Sequence, residues 1–258
     1  MHLLPRPYGA LHLRTDGPED APALLLINSL GTDLRLWDKL MPYLTRWRVI
    51  RYDKQGHGLS DLGDGTDIAG HAADAAAILD ALGCPATVLG CSIGGLIAQR
   101  LAADRPDLVR ALVLSNSAAR LGTPGSWQER IEAVQQGGTK VIADAVMERW
   151  FAAPFHATPE LALWRNMLAR TPRAGYVAAC RALACADQTA ETARLRLPCL
   201  VIAGSADGAS PPDLVRATAD LIKDAEFHLI DAVGHLPCIE APVAMAACVL
   251  PFLEKHAL

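Results

Sequence analysis

The chain of 258 residues is 51% hydrophobic but only 5% aromatic, and 24 basic against 28 acidic side chains leave a net charge of -4. This composition excludes disorder, which needs low hydrophobicity and high net charge, and its mild acidity speaks against nucleic acid as a partner. The longest strongly apolar run, residues 24–27, falls far short of the roughly 20 residues of a membrane-spanning helix, and the length suits one large α/β domain or two small ones.

Taken in chain order, Pro5, Arg6, Pro7 and Arg14 interrupt any apolar segment of a secretory signal. Residues 24–27 read as a buried strand and residues 37–44 follow at helical spacing. Residues 48–52 are a second strand, ended by the Gly-rich turn Gly56-His57-Gly58. An Ala-rich helix is predicted from Asp67 to Leu82 and stops at Gly83; strand 87–89, helix 93–103 and strand 112–114 come next. Residues 119–190 contain no convincing strand and are filled by helical segments near 129–134, 142–150, 159–169 and 176–184. The alternation then resumes with strand 200–203, helix 212–223, strand 227–230 and a closing helix over 243–254. This pattern predicts an α/β protein with a mostly parallel central sheet and helices on both faces. Residues 1–118 and 191–258 would form the core, and residues 119–190 a helical cap over the sheet edge. The seven cysteines are odd in number and lack C-x-x-C spacing, so they read as buried thiols in a reducing cytosol, with no zinc site.

Gly90-Cys91-Ser92-Ile93-Gly94 fits G-x-S-x-G, with a predicted strand leading in and a helix leading out. A sharp strand–turn–helix bend exposes the serine hydroxyl above the sheet, and the small flanking residues let backbone approach. A serine needs a base to take its proton, and in such folds the partners follow in the order Ser, acid, His at the carboxyl ends of later strands. Asp207 follows strand 200–203 and His235 follows strand 227–230. Asp213 falls at a helix start, where an acid serves the helix N-terminus, and Asp231 follows its strand too closely. The earlier strand end at Ser115-Asn116-Ser117 offers no carboxylate. An oxyanion hole needs two backbone N–H groups, expected from Ile93 and, in the loop after strand 24–27, from Leu30. His57 is expected to order its turn; His12, His71, His156, His228 and His256 lack companion motifs.

With Ser92, Asp207 and His235 in this order, the chain resembles the α/β-hydrolases. Among them it looks most like the 3-oxoadipate enol-lactonases of the β-ketoadipate pathway. The resemblance rests on residues 28–32 with Trp37-Asp38, and on the turn 52–60, where Gln55 replaces the usual Arg. Within the cap it rests on residues 116–120, Trp127, Arg130, Ile131, Arg149-Trp150-Phe151, Pro154, Met167-Leu168, Thr171, Pro172, Gly175-Tyr176 and Cys180. It implies an α/β-hydrolase fold with the cap inserted after the sixth strand. It also implies hydrolysis of 3-oxoadipate enol-lactone to 3-oxoadipate through an acyl-enzyme, without cofactor or metal. The small anionic lactone carries a carboxylate remote from the ring, and a buried carboxylate needs a cation or several donors. Arg130 and Arg149 are the cap candidates, with Trp127, Met147 and Trp150 as walls.

Other ester, perhydrolase or carbon–carbon bond hydrolysis on the same scaffold stays open, as does a receptor with a vestigial triad. Six of the thirteen aromatics fall in residues 119–190, where seven Arg and one Lys meet six carboxylates; the rest of the chain carries a net of -6. An acidic aliphatic scaffold under a cationic, aromatic-enriched lid suits an anionic small ligand.

Overall fold

Among the described residues, 2–65 and 67–256, the computed structural model contains one eight-stranded sheet. The strands are β1 (His2–Arg6), β2 (Gly9–Asp16), β3 (Ala23–Ile27), β4 (Arg48–Tyr52), β5 (Ala86–Cys91), β6 (Val109–Ser115), β7 (Cys199–Gly204) and β8 (Glu226–Ile230). Their order is β1-β2-β4-β3-β5-β6-β7-β8. The pairs β1–β2 and β2–β4 are antiparallel and all others parallel. β3, β5 and β7 are buried along their whole lengths, as expected where a parallel sheet is covered on both faces.

Helices α1 (Ile68–Leu82) and α2 (Ile93–Asp104) join β4 to β5 and β5 to β6. The Asp67 carboxylate accepts the Gly70 N–H at the start of α1, and Gly83 closes it in the left-handed region at φ 65°. Between β6 and β7 come α3 (Pro124–Gly137), α4 (Ala143–Trp150), α5 (Ala153–His156), α6 (Leu161–Ala169), α7 (Arg173–Cys185) and α8 (Thr189–Thr192). The chain ends with α9 (Pro212–Leu221), α10 (Pro237–Glu240) and α11 (Pro242–His256). α1 packs on α2, α2 on α8 and α8 on α9, while α11 lies against β6, β7 and β8. Within the insertion α3 pairs with α7 and α4 with α6.

The parallel sheet, its helices and an insertion after the sixth strand agree with the sequence. Two details differ. β1 and β2 are absent from the strands read above: β1 is an edge strand with Pro5 within it, and its half-exposed residues give no apolar run. Residues 37–44 do not form one helix; the chain makes 3₁₀ turns over Leu34–Trp37 and Met41–Tyr43 instead. Pro42 cannot donate the backbone bond that a continuous helix would need there.

Register aligns the carboxyl ends of the central strands. Cys91 pairs with Ser115, Ser115 with Ile202, and Gly204 with Ile230. The residues that leave β5, β6, β7 and β8 therefore emerge at one edge, where ligands bind in open parallel sheets.

Candidate active site

Ser92 stands between β5 and α2 with φ 57° and ψ -122°. Few non-glycine residues adopt this conformation, and holding one there costs on the order of 1–3 kcal/mol. The surroundings enforce it. The Ser92 N–H donates to Ser115 O at 3.0 Å, while Ser92 O accepts from Ser117 Oγ at 2.7 Å and from the Gly95 N–H at 2.9 Å. A Cβ on Gly90 would collide with the Gly94 carbonyl, and one on Gly94 with the Ile27 carbonyl. Both glycines of the motif are thus demanded by close backbone approach.

His235, 2% exposed, is reached from β8. Its Nδ1 lies 2.9 Å from Asp207 Oδ2, its backbone N–H donates to Trp150 O at 2.7 Å, and its carbonyl lies 3.7 Å from Cys91 Sγ. Asp207 Oδ1 accepts the N–H groups of Ala209 and Ser210 at 2.7 and 2.9 Å. Its Oδ2 faces Asn116 Nδ2 at 2.9 Å, Ser210 Oγ at 2.7 Å and the His235 ring. Burial alone would raise the Asp207 pKa. The His235 ring and the Ser210 and Asn116 hydrogen bonds outweigh it and hold the carboxyl below its ordinary value. Asp207 is therefore a carboxylate that fixes Nδ1 of the ring as its donor and turns Nε2 away. Ser92 and His235 line one cavity. Among the described residues no hydrogen bond joins Ser92 Oγ to the ring; such contacts commonly tighten when substrate fills the site.

The strand ends explain the arrangement. Asn116, just past β6, takes φ 51° and donates its backbone N–H to Ile202 O of β7 at 2.8 Å, which brings its side chain to the acid loop. The position that lacks a carboxylate in sequence thus supplies a donor to Asp207. Ser210 lies three residues beyond Asp207, a spacing at which a side-chain oxygen meets a local backbone turn. That spacing was the available signal for Ser210.

The loop after β3 is held on several sides. Asn28 Nδ2 donates to Tyr52 O at 2.8 Å, and Trp37 Nε1 donates to Asn28 Oδ1 at 2.9 Å. Ser29 O accepts Lys54 Nζ at 2.8 Å and Thr32 Oγ1 at 2.9 Å. The Gly31 N–H donates to His57 Nε2 at 3.2 Å, and His57 Nδ1 faces Gln55 O at 3.1 Å. Burial, reinforced by the nearby Lys54, keeps this imidazole neutral, so Nδ1 carries the proton and Nε2 accepts. His57 thus orders the loop of residues 28–32 as well as its own turn. Among the described residues neither the Leu30 N–H nor the Ile93 N–H has an acceptor, and both residues are buried. Ile93 is also the first residue of α2, where the helix dipole favours negative charge.

The cavity above Ser92 has a volume of about 100 Å³ and is lined by Leu30, Trp127, Arg130, Arg149, Trp150 and Tyr176, among others. This is below the roughly 300–1,000 Å³ of sites for drug-sized ligands, so the space suits a small one. Met147, expected as a wall, does not line it. It lies one turn before Trp150 on α4, about 4.5 Å along the axis, and is buried in the core. Tyr176, on α7, is a lining residue not singled out as a site residue from sequence. A larger cavity of about 740 Å³ lies apart from Ser92, between His12, Asp53 and helix α6.

Arg149 is placed by backbone, because its carbonyl accepts the Gly208 N–H at 3.2 Å from the Asp207 loop. Its Nε donates to Gly208 O at 3.3 Å. Burial and the like charge of Arg130 both lower its pKa. The Arg130 guanidinium lies 5.2 Å from the centre of the Trp127 ring and close to Tyr176. Neither arginine joins a carboxylate in the ion pairs of the described residues, although each ordinarily seeks one. Among the described residues no group of three or more potential metal ligands occurs, and no helix is long and apolar enough to cross a membrane.

Comparison with known proteins agrees with this fold. Residues 22–242 match a family model described as alpha/beta hydrolase fold. The chain is 37% identical to 3-oxoadipate enol-lactonase 1 of Acinetobacter baylyi, covering 90% of this chain and 88% of that protein. The crystal structure of the enol-lactonase from Burkholderia xenovorans LB400 superposes with a TM-score of 0.92 at 36% identity, covering 95% of this chain and 96% of that one. A pimeloyl-[acyl-carrier protein] methyl ester esterase of Neisseria meningitidis is 29% identical over 93% of this chain and 96% of its own length.

Proposed function

The chain belongs to the α/β-hydrolase family, and from that premise we propose that it is a serine hydrolase that opens 3-oxoadipate enol-lactone to 3-oxoadipate. The observation that carries the substrate class is the pair Arg130 and Arg149, which have no carboxylate partner among the described residues, over a small cavity that also contains Ser92. They supply the charge that a free carboxylate on a small ester requires. A compact, cationic site also fits a lactone better than an ester on a long acyl chain carried by a protein.

Ser92 Oγ attacks the ring carbonyl as its proton passes to Nε2 of His235. Asp207 holds the opposite ring nitrogen and stabilises the resulting cation. The carbonyl oxygen becomes an oxyanion and accepts the N–H groups of Leu30 and Ile93, which need no reorganisation to receive it. Collapse breaks the ring C–O bond, and the enolate leaving group takes up the proton held on His235 to become the ketone, which returns His235 to its neutral form. The product stays attached as an acyl-serine through the former lactone carbonyl. Water then attacks that ester, giving its proton to His235, and Ser92 regains its hydrogen as 3-oxoadipate departs. Residues 119–190 act as the lid that carries specificity, and Trp127 and Trp150 as its walls.

Arg130→Ala and Arg149→Ala test the substrate class. Loss of a charge-assisted hydrogen bond of about 1.5–3 kcal/mol should raise KM for the enol-lactone by roughly 10- to 100-fold in at least one variant. Hydrolysis of a neutral p-nitrophenyl ester should change little. Equal losses on both substrates would point to damage to the lid rather than to carboxylate binding.

A further inference from the structure

Lys54, in the turn after β4, is fully buried. An ammonium group carries three donors and is costly to take out of water unless it is paired. Among the described residues the Lys54 ammonium forms no ion pair, and its one hydrogen bond goes to Ser29 O at 2.8 Å. The nearby carboxylates are engaged elsewhere. Asp53 accepts the Leu34 and Leu59 N–H groups and meets His12, while Asp33 pairs with Arg35. An apolar side chain of similar length would fill the same space without this penalty, so the cation calls for a role.

The acceptor points to that role. Ser29 O and the Leu30 N–H belong to one trans peptide, and in a trans peptide the two point in opposite directions. Fixing the oxygen on Lys54 and Thr32 therefore fixes the direction of the N–H. A cation on the oxygen also draws electron density from the amide and makes its N–H a stronger donor. We propose that Lys54 is a positioning residue for ester cleavage, which aims and polarises the Leu30 N–H through the carbonyl of Ser29. This inference rests on the reading of Leu30 as an oxyanion donor.

Burial lowers the Lys54 pKa to about 7, against the fields of Asp53, Asp33 and Cys91 that raise it. The other ionisable groups facing it are the buried rings of His57 and His71, both of which feel it as a like charge. Its ordinary value is 10.5, so between about 7 and 10.5 the unfolded chain binds a proton that the folded chain does not. Lys54 therefore weakens the fold most below that window, and its penalty fades as pH rises through it.

Lys54→Met and Thr32→Val, made in the full chain, test the proposal, with Ser92→Ala as control and enol-lactone and p-nitrophenyl acetate as substrates. In Lys54→Met, kcat should fall on the order of tenfold or more on both substrates with KM held within about twofold, because the lost interaction serves the transition state. Its melting temperature at pH 7 should equal or exceed that of the wild type, and any excess should shrink toward pH 10. Thr32→Val, which removes the second side-chain donor to Ser29 O, should lower kcat by less, again at constant KM. Unchanged kcat in a folded Lys54→Met, or failure of that variant to fold, would overturn the proposal, since either makes the lysine dispensable or merely structural. Near-normal turnover in Ser92→Ala would instead overturn the nucleophile assignment beneath it.

Discussion

Ser92→Ala is expected to lower kcat by about 10⁴- to 10⁶-fold while leaving the fold intact. The loss follows from chemistry with no substitute nearby: the cavity is lined by Ser29 and Ser126 as well, but neither stands at a strained strand–helix bend beside a carboxylate-held histidine. Stability should be almost unchanged, because among the described residues the Ser92 hydroxyl makes no hydrogen bond and the backbone bonds to Ser115 and Ser117 survive the substitution. Far-ultraviolet circular dichroism and melting temperature check the fold, and steady-state kinetics on the enol-lactone check the activity. Near-normal turnover would remove Ser92 from the mechanism.

The second large effect is expected at Asp207. Asp207→Asn should cost on the order of 10⁴-fold in kcat, because an amide can present its NH₂ to the His235 ring and stabilise the wrong tautomer. Unlike Ser92→Ala, it should also destabilise the fold. Asp207 gathers donors from Ala209, Ser210, Asn116 and His235, and an amide nitrogen would face donors where an oxygen now accepts. The pH dependence separates the two effects. The folded carboxyl titrates below its ordinary value of 3.8, so its stabilising contribution is complete above that value and is lost as pH falls toward the folded one. Thermal melts in acid should therefore show a shallower fall for Asp207→Asn than for the wild type. An identical acid profile would mean that Asp207 is not held as a carboxylate in the folded chain.

Much of the fold is legible in sequence because burial writes itself into composition. The apolar stretches at β3, β5 and β7 are strands buried on both faces, as is β6 from Ala111 onward, and each is followed by a residue of the proposed site or its support. β1 and β2 are less legible: β1 is an edge strand of exposed and half-buried residues with a proline within it, and β2, between β1 and β4, buries only Leu11 and Leu13. The strained turn at Ser92 is local and therefore readable, and so are the strand-end positions of Asp207 and His235. Their supports are not. Asn116 reaches Asp207 across 91 positions of the chain and Lys54 reaches Ser29 across 25, and neither contact leaves a periodic signal. A lysine in a turn reads as surface, and only the packing around it shows that it is buried. Met147 illustrates the opposite error: its helix was readable, but a single turn decides whether a side chain meets the cavity or the core.

The central claim is that Ser92 opens a small anionic lactone beneath a cationic lid. It is tested most directly by steady-state hydrolysis of freshly generated 3-oxoadipate enol-lactone, set beside p-nitrophenyl acetate with Ser92→Ala as the blank. The account predicts a kcat/KM for the lactone at least on the order of 100-fold above that for the neutral ester, with both rates abolished in the variant. Lactone consumption no faster than in the Ser92→Ala blank, or equal preference for the neutral ester, would contradict it.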